Sequence, residues 1–338
     1  MDRTRTMSPR DPRFAQHVLE PRGIFVSNNT AVVAGPFAHF GTSPPPRGDY
    51  GALADLGGGD DVWVVFDGPS AGEVAAEFRE TQLLGLCDEE FFALTTKHFL
   101  RAAPRSRPVA PDGRWRADRM LQLACPTRER LHWRIPDYQA TAARPDAWSW
   151  AVRSDCSYWL SLRGFDPEYA SRVRTCAVVR ARATCPYLTV EFTRDDEPEE
   201  PAIIQVCAAG ALALFNRCVL HAAARATGET PADNATIRHY ALTLVGPEFA
   251  VWVLRPTWDG GRWAGCVMQV LFEADCGDEF AVRRLADWLN EIHRWGLAQY
   301  GPGCEADINA ALKAGGAPAE GAAEPSSSSV WDDGGSAS

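Results

Sequence analysis

The chain has 338 residues, of which 46% are hydrophobic and 23% are charged. This composition is typical of a folded globular protein and allows one large domain or two small ones. The formal net charge of -10 excludes a surface that is basic as a whole, as proteins that bind nucleic acid mainly through phosphate contacts need. Much of the acidic charge lies in residues 195–200 and in the tail that follows Lys313.

Metal-site and targeting signals are few in this sequence. Ten cysteines occur, and no two have the CxxC spacing of a zinc site. The start is polar and rich in Arg, without the apolar segment of a secretory signal, so we expect reduced, mostly buried cysteines in an intracellular protein of the nucleus or cytoplasm. Polar residues interrupt the apolar stretch at 201–226, which argues against a membrane span.

Four parts follow one another along the chain. They are a loop-rich N-terminal extension, a helical part, a core of strands and helices, and a disordered acidic and Ser-rich tail, at residues 1–70, 71–144, 145–312 and 313–338. Clusters of Pro, Gly and Asp mark the extension, and the tail has too few apolar residues to form a core. In the helical part, apolar spacing over residues 71–100 predicts two helices broken near Gly85, and residues 114–124 predict a short third helix.

The core begins with three predicted strands separated by Gly, Pro and Asp, at residues 157–162, 176–183 and 187–192. A segment rich in Ala and Leu then predicts a buried helix over residues 202–224. The remaining patterns predict a hairpin, a strand and an amphipathic helix, at residues 236–254, 266–272 and 278–300. This order predicts an α/β (α+β) fold with a mixed sheet flanked by helices.

The segment CPYLTVEFTR, residues 185–194, carries the candidate site. Because strand side chains alternate between faces, Thr189, Glu191 and Thr193 share one face. The opposite face, with Leu188, Val190 and Phe192, is the expected core face. Glu191 is therefore expected to point away from the core, into solvent or into a cleft.

The order of these elements resembles the PD-(D/E)XK nuclease superfamily, in which an aspartate at the start of one strand precedes a Glu-x-Lys motif on the next. More narrowly, SDCSYWLSLRGF, CPYLTVEFTR, AAGALALFNR, GPEFAVWVLRP and EIHRWGL are similar to segments of fungal nuclease-like proteins. The resemblance covers residues 145–310 and implies a restriction-endonuclease-like mixed sheet flanked by helices.

The resemblance also implies a metal site. Asp155, which directly precedes the first strand, and Glu191 would bind Mg²⁺ or Mn²⁺ together with the backbone carbonyl of Phe192, since hard cations prefer oxygen ligands. Thr193 stands where the superfamily has its catalytic lysine. Gln205 resembles the helix-borne glutamine of some branches of the superfamily.

Alternatives to these assignments stay open. Two Pro-Asp pairs, at Asp146 and Asp137, offer other choices for the motif aspartate, with Asp146 the second choice after Asp155. Arg194 is adjacent to Thr193 but belongs to the opposite strand face, so it is a poor substitute for the lysine.

Two functions follow from the resemblance. One is metal-dependent hydrolysis of phosphodiester bonds in DNA or RNA. The other is a catalytically inactive domain of the same fold that binds a protein or nucleic acid. Thr193 and the acidic residues 195–200 favour the second, because both reduce the stabilisation of a phosphate group.

Overall fold

The residues that the computed structural model describes are 6–27, 29–31, 33–53, 62–66, 70–101, 117–121, 133–139, 149–150, 152, 154–165, 171–180, 182–193, 198–228 and 237–314. All structural statements below concern these residues. The predicted disordered tail therefore lies, beyond Ala314, outside the described residues.

Strands in the described ranges form one large mixed sheet and a separate two-stranded ribbon. Their bounds are β1 Thr6–Met7, β2 Ile24–Ser27, β3 Ala117–Leu121, β4 Ser149–Trp150, β5 Cys156–Ser161, β6 Val179–Arg180, β7 Ala183–Thr193, β8 His239–Val245, β9 Glu248–Asp259 and β10 Arg262–Asp275. The large sheet has the order β2-β10-β9-β8-β7-β5-β3, with β6 paired to β7, and the ribbon joins β1 to β4. Strands β7 and β8 are parallel, whereas β5 runs antiparallel to β7.

Helices in the described ranges cover both faces of the large sheet. Their bounds are α1 Pro36–Phe40, α2 Ala71–Leu83, α3 Asp88–His98, α4 Glu200–Arg225, α5 Glu279–Trp295 and α6 Gly301–Ala314. On one face, α5 packs against β8, where Trp295 contacts Tyr240, and α2 packs against α5. On the other face, α4 packs against Ala241 and Trp252. Helix α4 is the crossover between the parallel strands β7 and β8.

Local sequence explains where these helices begin. Ser70 and Glu73 form a capping box at α2, and Asp278 accepts a hydrogen bond from the Ala281 N–H at the start of α5. Helix α4 is long and apolar enough to cross a membrane by length and composition alone, but 67% of its most apolar window is buried inside the protein. It is therefore packed as the core helix of a folded domain is packed.

The predicted mixed α+β class is confirmed. The structure contains the two predicted helices before residue 100, the strands β5 and β7, the buried helix, the hairpin of β8 and β9, and the amphipathic helix α5. The helix predicted at 114–124 is wrong: residues 117–121 form β3, because pairing with β5 outweighs local helix propensity. The strand predicted at 176–183 is mostly wrong as well, since a 3-10 turn at Val173–Thr175 precedes only the short β6.

Part of the N-terminal segment, interpreted above as a loop-rich extension, is built into the fold. Strand β2 lies parallel to β10 in the large sheet. Gly265 has φ 134°, and any Cβ there would collide with the carbonyl of Gly23, so the two glycines permit this close approach. The predicted boundary at residue 70 therefore does not separate the sheet from what precedes it.

Asn290 anchors residues 62–66 to α5. Its Oδ1 accepts a hydrogen bond from the Val64 N–H at 2.7 Å, and its Nδ2 donates to the Val64 carbonyl at 2.9 Å. Both residues are buried, so Asn290→Ala leaves two backbone groups without partners and is expected to lower the free energy of unfolding by roughly 2 kcal/mol. Urea denaturation checks this value.

Arg283 provides the matched control on the same helix. Its ion pair with Glu279 is exposed, and Arg283→Ala is expected to change the free energy of unfolding by less than about 0.5 kcal/mol. Equal losses in the two variants would contradict the anchoring role of Asn290.

Candidate functional site

Glu191 lies on the face of β7 that α4 covers. The pairing register places it opposite Thr243 of β8, and Thr189 Oγ1 on the same face is 2.8 Å from His239 Nε2. Glu191 is only 5% exposed. The expectation that Glu191 points into solvent or an open cleft is therefore wrong. Both faces of the sheet are covered by helices, and Glu191 is buried on the face that α4 covers.

Two hydrogen bonds join Asp155 to Glu191 and to its neighbour Phe192. The Asp155 N–H donates to Glu191 Oε2 at 3.3 Å, and the Phe192 N–H donates to Asp155 Oδ2 at 2.9 Å. These bonds join the residue just before β5 to the C-terminal end of β7. The structure thus brings together the two carboxylates that the sequence analysis selected.

Burial changes the protonation of Glu191. Its removal from water, together with the neighbouring charge of Asp155, raises the pKa of Glu191 to about 9. The hydrogen bond from the Asp155 backbone and the charge of Arg10 act in the opposite direction but do not compensate. Without a bound cation, Glu191 therefore carries a proton at neutral pH.

The backbone N–H and carbonyl of Phe192 face the side of β7 on which Asp155 lies. In a strand, the N–H and C=O of one residue point to the same side, so the Phe192 carbonyl points toward the side on which Asp155 accepts its N–H. The Thr193 carbonyl points to the other side, where it accepts a hydrogen bond from the Gly246 N–H at 3.3 Å. The Phe192 carbonyl therefore faces the same side of β7 as the Asp155 carboxylate, where it could serve with the two carboxylates in an all-oxygen cation site.

The donor set is small but chemically suitable. In the part of the chain that is described, no group of three or more His, Cys, Asp and Glu side chains is arranged to hold a metal ion. A cation at Asp155 and Glu191 would thus have two side-chain ligands and one backbone ligand. Such a set fits Mg²⁺, which usually keeps several water ligands and uses one or two carboxylates.

Thr193, and not a lysine, follows Phe192 at the C-terminal end of β7. Thr193 is half-buried, and the chain contains only two lysines, Lys97 and Lys313. Lys97 Nζ is 3.0 Å from Glu77 Oε2, and Lys313 lies in the last turn of α6. Among the described residues, Arg10 is a cation whose charge acts on Glu191, and the sequence analysis did not single it out.

The other candidates lie at different places. Gln205 is half-buried in the second turn of α4, the helix that packs against β7. Asp137 is exposed in a segment whose Pro136 carbonyl accepts a hydrogen bond from Arg22, so its position does not support it as the motif aspartate. Asp146 and Arg194 lie outside the described residues.

An acidic groove adjoins the face that carries Glu191. It has a volume of about 360 Å³, and its lining includes Thr243, the partner of Glu191 in the sheet, together with four acids, Glu199, Glu248, Glu273 and Asp275. Burial raises the pKa of Glu199, and the charges of Glu273 and Glu248 raise it further. The groove therefore creates a negative potential that repels phosphate groups.

A second buried polar cluster was missed by the sequence analysis. Arg217 Nη1 and His221 Nδ1 lie 2.5 Å and 3.1 Å from Asp307 Oδ2, and all three side chains are buried. The signal in the sequence was the pair Arg217 and His221, four residues apart on one face of an otherwise apolar helix.

Comparison with protein-family models, with curated proteins and with solved structures finds no match to this chain.

Proposed function

We propose that the chain is a domain of restriction-endonuclease-like fold that binds Mg²⁺ or Mn²⁺ through Asp155, Glu191 and the Phe192 carbonyl. In this proposal it acts as a binding module and not as an efficient nuclease. The observation that carries the proposal is the convergence of the two carboxylates at the end of β7, beside a threonine at the position of the motif lysine. The antiparallel pair β5 and β7, the crossover α4 and the parallel strand β8 support the fold assignment.

The electrostatics of the pair favour a cation. Burying two carboxylates side by side is unfavourable, as the raised pKa of Glu191 indicates. A divalent cation would replace the proton on Glu191 and offset the repulsion from Asp155.

Phosphodiester hydrolysis needs a group that stabilises negative charge in the transition state as well as a bound cation. A bound cation supplies an acidified water and neutralises charge on a phosphate oxygen. Thr193 can hydrogen-bond a water but cannot stabilise negative charge that develops in the transition state. Loss of one such stabilising group costs about a hundredfold to a thousandfold in rate.

The charge around the site favours a protein partner over DNA or RNA. The acidic groove lies on the sheet face of Glu191 and repels a phosphate backbone. A basic protein surface would be attracted by the same potential.

A second candidate function, nuclease activity on DNA or RNA, rests on Arg10. Its charge is close enough to Glu191 to lower the pKa of that carboxyl. In this alternative, Arg10 supplies the positive charge that Thr193 lacks.

Thermal unfolding with and without Mn²⁺ tests the cation site. We expect Mn²⁺ to raise the melting temperature of the wild type, because the cation binds only the folded protein, and to have a much smaller effect on Glu191→Gln and Asp155→Asn. Equal shifts in all three proteins would show that the cation binds elsewhere.

Cleavage assays on plasmid DNA and RNA test the chemistry. We expect negligible cleavage by the wild type and a gain of about tenfold or more in Thr193→Lys, because the lysine restores positive charge beside the site. Adding Glu191→Ala to that variant should abolish the gain. Wild-type cleavage that is lost in both Glu191→Ala and Arg10→Ala would instead establish the second candidate.

A further inference from the structure

A cavity of about 540 Å³ lies at the opposite end of β7 from the carboxylate pair. Cys185, in the third position of β7, lines this cavity six residues before Glu191, or about 20 Å along the strand. The cavity is therefore separate from the proposed cation site, and an experiment on one does not depend on the other.

The cavity is lined by basic side chains although the protein as a whole is acidic. Arg134, Arg174 and Arg217 line it, and none of its lining residues in the described part of the chain is Asp or Glu. Arg134 and Arg174 are exposed, whereas Arg217 is 4% exposed. Reactive cysteines are found in such positively charged, partly accessible surroundings.

Cys185 has a thiol partner on another element. Its side chain shares a hydrogen bond with the thiol of Cys304, which α6 contributes, and both thiols are free. Tyr300 fixes the same junction, because its hydroxyl donates to the Pro186 carbonyl at 3.1 Å. The start of β7 and the C-terminal helix are thus held in contact at the two sulfur atoms.

The two thiols differ in acidity. The hydrogen bond from Cys304 and the charge of Arg217 lower the pKa of Cys185 against the opposing effects of burial and of the Asp307 charge, whereas burial raises the pKa of Cys304 well above its usual range. Thr184 Oγ1 is 3.5 Å from Cys185 Sγ but only 2.6 Å from the Val178 carbonyl oxygen, so its proton is donated to Val178. The acidity of Cys185 therefore depends on Cys304 and Arg217.

The backbone at Cys185 is strained. Its φ of 46° lies in the left-handed region, which residues with a Cβ rarely adopt outside turns. Backbone strain of this kind often occurs at functional sites. Cys185 lines the cavity in this conformation, with its thiol beside that of Cys304.

We propose that this cavity is a peroxide-reactive dithiol site, in which Cys185 is the attacking thiol and Cys304 the resolving thiol. The Cys185 sulfur attacks one oxygen of a hydroperoxide, a sulfur–oxygen bond forms, and the oxygen–oxygen bond breaks. The leaving alkoxide or hydroxide takes the proton that Cys185 gave up. This step produces an alcohol or water and a sulfenic acid on Cys185.

The Cys304 sulfur then attacks the Cys185 sulfur. A disulfide bond forms, the sulfur–oxygen bond breaks, and the hydroxide leaves as water with the Cys304 proton. Over both steps the two thiols lose two electrons, and the hydroperoxide accepts them.

Hydrogen peroxide titration of the reduced full-length protein tests this site. We expect mass spectrometry to find a cross-link between the peptides that contain Cys185 and Cys304, with the loss of two hydrogen atoms. Oxidation of Cys185 is expected to be about tenfold or more faster than that of Cys87, an exposed thiol outside the cavity. In Cys304→Ser, the sulfenic acid should persist on Cys185 and react with dimedone.

Cys176→Ser is the matched control. Cys176 lines the same cavity, but burial raises its pKa to about 12, so its loss should leave the cross-link and its rate unchanged. Oxidation of Cys87 before Cys185, or absence of the cross-link after Cys185 is oxidised, would overturn the proposal.

If Cys304→Ser does not fold, a second measurement on the wild type still tests the proposal. The rate of iodoacetamide alkylation of Cys185 in the wild type, followed against pH, should reach half its maximum below about pH 8.5, the usual pKa of a cysteine thiol. A midpoint at or above this pH for Cys185 would also overturn the proposal.

Discussion

Glu191→Gln is expected to stabilise the folded protein by roughly 3 kcal/mol at pH 7 in the presence of EDTA. Glu191 is almost fully buried beside Asp155, and its pKa is raised from 4.5 to about 9. The folded protein must therefore keep this carboxyl protonated at pH 7, whereas the unfolded chain ionises it freely. Glutamine keeps a neutral side chain of the same length and removes that difference.

The pH dependence of this effect has a definite sign. Between pH 4.5 and about 9 the folded state binds one proton more than the unfolded state at Glu191, so unfolding releases a proton. Glu191 contributes its full share of the free energy of unfolding below pH 4.5. This contribution is lost as the pH rises to about 9. Urea denaturation at several pH values should give a smaller decline for Glu191→Gln.

Glu80→Gln is the matched control for this substitution. Glu80 is exposed on α2, so its replacement should change the free energy of unfolding by less than about 0.5 kcal/mol at every pH. A wild-type stability that rises from pH 5 to pH 8 relative to Glu191→Gln would contradict the buried, protonated state of Glu191. Saturating Mn²⁺ should reduce or reverse the advantage of the variant, because the cation favours the ionised carboxylate.

The sequence pattern was sufficient to locate the acidic pair but not its surroundings. Alternation along CPYLTVEFTR placed Glu191 and Thr189 on one face, and the register with β8 agrees with this. The direct succession of Asp155 and β5 selected an aspartate that lies beside Glu191 in the structure. Burial of Glu191 depends on α4 crossing the same face, which is a tertiary relation that strand alternation cannot show. The contribution of Arg10 depends on a contact between distant parts of the chain and could not be predicted for the same reason.

Local patterns also failed where pairing or packing decides the structure. Residues 117–121 have a helical pattern but form β3, because β5 offers them an edge with backbone hydrogen-bond partners. Arg217 and His221 were visible as interruptions of an apolar helix. Their common partner, Asp307, lies on α6, whose separate existence the sequence analysis did not predict.

Asp307→Asn is expected to lower the free energy of unfolding by about 3–5 kcal/mol, the largest loss that we predict. The substitution removes the counter-charge of Arg217, and both side chains are almost inaccessible to water. Although burial acts to raise the pKa of Asp307, its hydrogen bond from His221 and the charge of Arg217 lower it, so this carboxylate is ionised in the folded state. Urea denaturation measures the loss, and Asp259→Asn, at the exposed end of β9, is the control.

Replacing both charges separates the strength of the pair from the cost of leaving one charge alone. An apolar double variant, Arg217→Met with Asp307→Leu, should recover most of the stability that Asp307→Asn loses, since a buried ion pair often contributes little more than apolar residues of similar volume. A double variant as unstable as the single one would show that the pair itself holds α4 against α6. Recovery would instead show that Arg217 is retained for a reason other than stability, which agrees with its position beside Cys185 in the arginine-lined cavity.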